Sequence, residues 1–316
     1  MYTLFIMDPI DALHLDGDST YAIMAESTAR GFPIAWCTPA DLFADGRGAV
    51  ARCQSVTAHL DEPAFRDRGP FREVPLSQFD CVWLRKDPPF DMAYVFVTYL
   101  LDLVSSETLV LNDPLSLKCA NEKMYALQWP ELCPPTLVTN RIEDVRSFAK
   151  EHERIVVKPW DGNGGRGVMV TEHGDGNLGA MVELLTDSEQ NWCIAQRYEA
   201  AIRETGDKRI ILIDGEVRGW FSRIPGTEDH RGNMHVGARV EASELTDRDR
   251  EICAALSSRL RAEGLLFTGI DVIGDFLTEI NVTSPTGLRE ISSLQGRNLA
   301  AEICDRAHAL HQERRR

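Results

Sequence analysis

A Gly-Asp pair near the C-terminus, Gly274-Asp275, constrains the fold of this 316-residue chain more than any other feature. Because β-prone segments flank it on both sides, the pair predicts the tight turn of a two-stranded hairpin. Asp271 would lie on one strand, and Glu279 and Asn281 would lie on the other, pointing to the same face. These three side chains predict either oxygen ligands for Mg²⁺ or an exposed hairpin with solvated carboxylates.

The length and charge of the chain limit its architecture and its partners. A chain of 316 residues exceeds the usual size of one domain, so we expect two or three domains packed together. The net charge of −15 argues against a nucleic-acid partner, because phosphate-backbone binding requires clustered Lys and Arg. No apolar stretch is long enough to span a bilayer, and the N-terminus lacks the features of a signal peptide, so we expect no membrane partner and a cytoplasmic location. The eight cysteines form no C-x-x-C pair, which favours reduced and mostly buried thiols.

The first third of the chain alternates predicted strands and helices. This β-α-β order predicts an α/β domain with a doubly wound parallel sheet and helices on both faces. Ligands of such sheets gather at the carboxyl ends of the strands, and Arg85 ends a predicted strand at 81–85. Arg85 would therefore either bind a substrate carboxylate or be an ordinary surface charge.

A glycine-rich loop lies between two β-branched segments in the middle of the chain. Its four glycines are Gly162, Gly164, Gly165 and Gly167. Glycines let a backbone approach a ligand closely, and phosphate held by loop N–H groups is the usual reason for such a loop. The spacing fits neither a dinucleotide fingerprint nor a Walker P-loop, and a flexible hairpin tip is the alternative. Lys158 favours the phosphate site, because an unpaired ammonium inside an apolar strand would be costly unless an anion met it.

Two further segments carry arginines. The turn Asp214-Gly215 predicts a second hairpin, whose open ends place Arg209 and Arg223 next to each other. The polar stretch 224–240 follows it, and its length favours a lid over a binding site rather than a disordered excursion.

In this order, the segments resemble the bacterial glutathione synthetase family of the ATP-grasp superfamily. The motifs that carry the resemblance are Met7-Asp-Pro-Ile10, Arg85-Lys-Asp-Pro-Pro-Phe-Asp91, Cys119-Ala-Asn-Glu-Lys123, Lys158-Pro159, Asp161-Gly-Asn-Gly-Gly165, Asn177-Leu-Gly179, Gly206-Asp-Lys-Arg209, Arg231-Gly-Asn233 and Thr278-Glu-Ile-Asn-Val-Thr-Ser-Pro-Thr286. The resemblance implies a three-domain ATP-grasp fold. Its parts would be an N-terminal substrate-binding domain over 1–121, a central subdomain that covers ATP over 122–199, and a C-terminal catalytic subdomain over 200–316.

The resemblance also implies an activity and a set of small-molecule partners. The chain would be an ATP-dependent carboxylate–amine ligase that joins γ-glutamylcysteine to glycine through an acylphosphate, releasing ADP and phosphate. It would use ATP and Mg²⁺, with Mn²⁺ able to substitute, and would form a homo-oligomer that the family implies to be a tetramer. The alternatives are a related ligase with another peptide donor or amine acceptor, and an ATP-binding regulator that has lost catalysis.

Site residues follow from the family motifs position by position. The catalytic cations would be Arg209, Arg223 and Arg239. The residues that contact ATP would be Lys123, Lys158, Gly162, Gly164, Gly165, Gly167, Gln196, Tyr198 and Asp207. The metal ligands would be Asp271, Glu279 and Asn281. The residues that bind substrate would be Arg85, Arg231, Ser284, Thr286 and Arg289, where a surface charge at a helix start is the alternative for Arg289.

The sequence departs from the family pattern at the substrate end. The predicted lid contains His235, and Gly237-Ala238 stands where the family has Gly-Gly. Gly287 replaces a side chain that is often cysteine. The altered lid is the support for a different donor or acceptor. The complete set of phosphoryl-transfer residues argues against a silent regulator.

Overall fold

The computed structural model describes residues 1–46, 48–60, 64–226 and 237–316. In chain order they form an eight-stranded, a four-stranded and a five-stranded sheet. The first lies within residues 1–121, the second within 122–199 and the third within 200–316, although the exact boundaries remain predictions. None of the described helices is both long and apolar enough to cross a membrane.

The first sheet contains the predicted β-α-β units and more. Its strands are β1 (Thr3–Met7), β2 (Ile34–Cys37), β3 (Leu42–Asp45), β4 (Gly48–His59), β5 (Ala64–Arg66), β6 (Phe71–Pro75), β7 (Cys81–Arg85) and β8 (Leu109–Leu111). Its helices are α1 (Ser19–Ala29), α2 (Met92–Asp102) and α3 (Pro114–Cys119). Strands β1, β2, β7 and β8 are parallel, as predicted. Strands β3 to β6 extend the sheet by antiparallel pairing, so the sheet is mixed rather than purely parallel.

The second sheet carries the glycine-rich loop. It follows α4 (Glu122–Ala126) and contains β9 (Thr136–Thr139), β10 (Arg154–Pro159), β11 (Met169–Glu172) and β12 (Cys193–Arg197). All its pairings are antiparallel, and the loop joins β10 to β11, which confirms the predicted strand–loop–strand order. Helices α5 (Ile142–His152) and α6 (Leu178–Thr186) bury their apolar faces against this sheet.

The third sheet contains both predicted hairpins. Its strands are β13 (Asp207–Ile213), β14 (Glu216–Ile224), β15 (Arg239–Glu241), β16 (Phe267–Ile273) and β17 (Phe276–Asn281). The turns fall at Asp214-Gly215 and Gly274-Asp275, so both hairpin predictions are confirmed. Its helices are α7 (Ala201–Glu204), α8 (Asp247–Ala262), α9 (Leu288–Gln295) and α10 (Leu299–Arg314).

The first and third sheets share their hydrophobic cores, whereas the second has its own. Leu84 of β7 belongs to the same buried cluster as Ile210 of β13, and Phe5 of β1 belongs to that of Phe221 on β14. The second sheet and its two helices enclose a separate, smaller cluster. All eight cysteines are free thiols, and all but Cys119 are buried, as expected.

Candidate active site

Two adjoining cavities lie between the second and third sheets. Asp271, Glu279 and Val168 line both of them. One cavity has aliphatic walls and contains Lys158, Gln196, Tyr198 and Asp207. The other contains the predicted residues Lys123, Gly162, Gly164, Gly165, Arg209, Arg223, Asn281, Ser284 and Thr286. Hairpin and loop residues that are far apart in sequence therefore meet at one place.

A buried cluster of two arginines and two aspartates separates the cavities. Strand register places Arg209 opposite Asp271 and Arg223 opposite Asp207. Arg209 Nε donates to Asp271 Oδ1 at 2.6 Å, and its Nη2 donates to Oδ2 at 3.2 Å. Arg223 Nη2 lies 2.5 Å from Asp207 Oδ2 and 3.0 Å from Asp271 Oδ1. Each of the four residues is less than a tenth exposed.

The two aspartates of this cluster differ in their electrostatics. Burial by itself would raise the pKa of Asp271, but the guanidiniums of Arg209 and Arg223 outweigh it and lower that pKa to about 2. Burial raises the pKa of Asp207 to about 7, against the lowering effect of Arg223. Asp207 Oδ1 and Arg223 Nε are also buried without a hydrogen-bond partner in the described part of the chain. Native proteins rarely leave such atoms unpaired, so the cluster is suited to being completed by a charged ligand.

The three predicted metal ligands come together on the hairpin of β16 and β17. Asp271 pairs in register with Glu279, and Asn281 Nδ2 donates to Asp271 Oδ2 at 3.2 Å. In the described ranges, no group of three or more His, Cys, Asp or Glu side chains could hold a metal by itself. A cation here would rest on two carboxylates, the Asn281 amide oxygen and oxygens from a bound ligand, which is the coordination that Mg²⁺ accepts.

Two lysines line the cavities, Lys158 on β10 of the second sheet and Lys123 on α4, which packs against β17 of the third sheet. Lys158, 7% exposed, donates to Gln196 Oε1 at 3.2 Å, and burial lowers its pKa. Lys123, 6% exposed, lies 3.6 Å from Glu279 Oε1 and donates to the Gly162 carbonyl. A buried ammonium with a neutral partner favours an anionic ligand, so Lys158 remains a candidate for ATP binding.

Predicted substrate residues fall into different environments. The carbonyl of Thr286 accepts from Arg209 Nη1 at 3.2 Å, so the loop that holds Ser284 is tied to the charged cluster. Arg85 is 3% exposed, and its guanidinium donates to Thr20 Oγ1 at 3.0 Å and to the Pro285 carbonyl at 2.8 Å. The geometry therefore makes Arg85 a support for this loop.

Three predicted arginines lie outside the two cavities or outside the described residues. Arg289 donates to the Asp16 carbonyl at 3.0 Å from a half-buried position at the start of α9. The side chain of Arg239 is 73% exposed and lies 3.3 Å from Glu241. Arg231 falls in the part of the predicted lid that is not among the described residues.

Glu122 is a cavity residue that the sequence prediction missed. It lines the charged cavity, and its Oε1 accepts from Thr283 Oγ1 at 2.7 Å. Burial raises the pKa of Glu122 to about 6. Its place beside Lys123 at a helix start was visible in the sequence, but acidic residues are common there for helix-dipole reasons, so the position alone gave no functional signal.

Comparisons with protein families match almost the whole chain. The model of the prokaryotic glutathione synthetase N-terminal domain matches residues 1–118, and that of the prokaryotic glutathione synthetase ATP-grasp domain matches residues 122–296. Among similar proteins, a glutathione synthetase of Thermosynechococcus vestitus is 44% identical over 310 residues, covering 95% of this chain and 97% of the relative. A glutathione synthetase of Rhodopseudomonas palustris is 42% identical over 299 residues, covering 95% of each.

Solved structures support the fold. A D-cycloserine synthetase superposes with a TM-score of 0.69 at 17% identity, covering 99% of both chains. An ATP-grasp ligase solved with a minimal precursor superposes with a TM-score of 0.62 at 19% identity, covering 97% of this chain and 98% of that one. At such identities the likeness shows the ATP-grasp fold alone.

Proposed function

Because the chain belongs to the prokaryotic glutathione synthetase family, we propose that it is the ATP-dependent ligase that joins γ-glutamylcysteine to glycine and so makes glutathione. The observation that carries this proposal is the buried cluster of Arg209, Arg223 and Asp271 at the junction of the two cavities. Fixed cations at such a junction suit the transfer of a phosphoryl group from a nucleotide on one side to a carboxylate on the other.

ATP binds across the two cavities. The adenine lies between the aliphatic walls beside Gln196 and Tyr198, and Lys158 supplies the positive charge that meets a phosphate. Lys123 and the backbone N–H groups from Gly162 to Gly167 contact the remaining phosphate oxygens. Asp207 and its unpaired Oδ1 face the nucleotide from the third sheet.

Asp271, Glu279 and Asn281 would hold Mg²⁺, for which Mn²⁺ would be able to substitute. The fit rests on their hard oxygen atoms and on the depressed pKa of Asp271, which keeps its carboxylate charged. The ion would neutralise phosphate charge during the transfer. The arrangement fits a cation that also takes ligands from ATP, because the protein alone offers too few.

The reaction has two steps. An oxygen of the cysteinyl carboxylate attacks the γ-phosphorus, the bond from that phosphorus to the bridging oxygen breaks, and ADP leaves with that electron pair. The neutral amine of glycine then attacks the acyl carbon, phosphate leaves, and the amine loses a proton. Arg209 and Arg223 stabilise the negative charge of both steps, each well-placed donor contributing on the order of 3 kcal/mol.

The loop after β17 positions the peptide. Ser284 and Thr286 line the cavity beside the arginine cluster and bind substrate carboxylates, together with Arg289 and Arg231. Arg85 acts through the Pro285 carbonyl and thereby fixes this loop. We assign Arg239 to the site as part of the predicted lid over 224–240. The function of this lid is to exclude water from the acylphosphate. We also propose that the enzyme is a cytoplasmic homo-oligomer, on the tetrameric pattern of the family.

The test is phosphate release by the purified chain with ATP and Mg²⁺. We expect release that depends on both γ-glutamylcysteine and glycine, with glutathione identified by mass. A panel of other amines and γ-glutamyl peptides runs in parallel, and a better substrate there would replace the proposal with a related ligase. ATP binding without turnover of any pair would favour a regulator instead.

A further inference from the structure

Helix α2 exposes an apolar surface that the proposed reaction does not use. Met92, Phe96, Tyr99 and Leu103, called here the α2 stripe, are 72%, 62%, 51% and 57% exposed. Leu115 of the neighbouring α3 is 64% exposed and extends the surface. Of the ten exposed large apolar residues in the described part of the chain, five therefore lie on these two helices or, for Leu103, at the C-cap of α2, and such clustering typically marks an interaction surface.

The opposite face of α2 is already buried. Tyr94, Val97 and Leu101 are between 0% and 5% exposed and belong to the core of the first sheet. A helix that is apolar on all sides is normally covered on all sides, which leaves the α2 stripe without its cover in the single chain.

The spacing of the α2 stripe indicates what covers it. Its four members are separated by four, three and four residues, which is the apolar seam along which two helices pack in a coiled coil. The spacing also reads the same from either end. A second α2 that runs antiparallel places Met92 against the partner's Leu103 and Phe96 against the partner's Tyr99, so the seam complements itself about a two-fold axis.

We propose that the α2 stripe is a self-association surface, on which α2 of a second copy packs antiparallel. This inference names the surface for the proposed homo-oligomer and is independent of the catalytic roles. A mass measurement can therefore refute the surface without refuting the proposed activity, and an activity measurement can do the reverse. The chain carries a net charge of −15, so two copies repel each other least where they meet through an uncharged patch. The α2 stripe contains no charged residue, and the adjacent Asp102 is paired with Lys118.

The size and shape of the patch support a second copy. Five large side chains, each exposing on the order of 100 Å², offer roughly 500 Å² of apolar surface. That is more than half of the ~800 Å² that each partner buries in a standard interface. A peptide would need a groove and a membrane surface would need free flanking cations, whereas the α2 stripe is a convex helix face. The cation beside it, Lys118 of α3, lies 4.7 Å from the centre of the Tyr99 ring and is paired with Asp102.

The experiment measures mass by sedimentation of the full chain and of single variants. We expect wild type at twice or four times the 35.4 kDa of one chain, and Phe96→Glu at half the wild-type mass. Phe96→Glu should raise the dissociation constant about 30-fold or more, because it places a charge at the centre of the seam. The matched control is Leu184→Glu, which adds the same charge at a site 78% exposed on α6 and should leave the mass unchanged.

A mixing experiment tests the antiparallel register and guards against misfolding of one variant. Met92→Lys and Leu103→Glu should each be mostly dissociated alone. Mixed in equal amounts they should form heterodimers, since one contact becomes Lys with Glu and the other remains the native pair. A monomeric wild type, an unchanged mass for Phe96→Glu, or no association in the mixture would overturn the proposal, even if another molecule were then found on the α2 stripe.

Discussion

The two walls of the active site are built in opposite ways. The wall on the third sheet carries Arg209, Arg223 and Asp271, which are buried and bonded to one another on strands whose core is continuous with that of the first sheet. The wall on the second sheet is a glycine-rich loop above a small core of its own. Among its contacts across the cavity are the bond from Lys123 to the Gly162 carbonyl and that from Asn163 Nδ2 to the Pro88 carbonyl at 3.4 Å.

We interpret this difference as a division between two functions, which are stabilising the charge of the reaction and binding ATP. Charged side chains that must meet a developing charge work best when they are fixed before the reaction, and the third sheet fixes them through register and ion pairs. Phosphate groups that enter and leave are better held by backbone N–H groups, which require glycine and little packing. We therefore expect changes on the third sheet to reduce kcat and changes on the second sheet to act mainly on ATP affinity.

The largest effect is expected for Asp271→Asn, which removes the carboxylate that pairs with both arginines on the third sheet. The change removes one carboxylate from the proposed metal ligands and leaves the buried Arg209 and Arg223 with less counter-charge. We expect kcat to fall by on the order of 10³-fold and the folded state to lose about 3 kcal/mol. Phosphate release and thermal unfolding measure the two effects. The control is Asp275→Asn at the exposed turn of the same hairpin, and equal activity of the two variants would refute the role of Asp271.

A smaller loss of activity is expected for Arg223→Lys, which keeps the positive charge but removes the planar guanidinium. One guanidinium nitrogen bridges Asp207 and Asp271, and a lysine cannot reproduce this planar geometry. We expect kcat to fall about 10²-fold with little change in the KM for ATP. Steady-state kinetics separate the two constants, and Arg218→Lys on the same strand is the matched control. A variant that changed only KM would place Arg223 in ground-state binding instead.

On the second sheet, the corresponding variant is Lys158→Met. Burial lowers the folded-state pKa of Lys158 below its unfolded value, so at neutral pH its charge opposes folding. Without nucleotide the variant should be as stable as wild type or more so, while the Kd for ATP should rise at least 10-fold. Thermal unfolding with and without ATP measures both, and Lys150→Met at an exposed position of α5 is the control. Lower stability without nucleotide, or an unchanged ATP shift, would contradict a ligand-directed role.

Local patterns were sufficient to predict the elements that build the site. Gly274-Asp275 and Asp214-Gly215 fix their turns through backbone geometry, and the strand period then determines which side chains meet across each pair. The antiparallel strands β3 to β6 were missed because they are partly exposed and rich in small and polar residues, so their apolar alternation is weak.

Side-chain partners could not be predicted in the same way. The sequence shows that Arg85 ends a strand, but only the packing of Thr20 and Pro285 around it determines that its guanidinium is engaged. Likewise, the cavity position of Glu122 depends on Thr283, which lies 161 residues away. Such contacts depend on how the first and third sheets dock, and no local pattern contains that information.

The smallest and most selective effect is expected for Gly167→Ala in the glycine-rich loop. Gly167 has a φ of +70°, and an added Cβ would lie 3.1 Å from Pro159 Cδ, so the loop must shift as well as accept strain. Gly174→Ala is a matched control, because its φ is +88° but nothing lies within 4 Å of an added Cβ. Both variants should lose about 1–2 kcal/mol of stability, whereas only Gly167→Ala should raise the KM for ATP, by a few-fold, with kcat nearly unchanged. If Gly174→Ala raised KM equally, loss of stability rather than loop geometry would explain the effect, and the division of tasks between the two walls would fail.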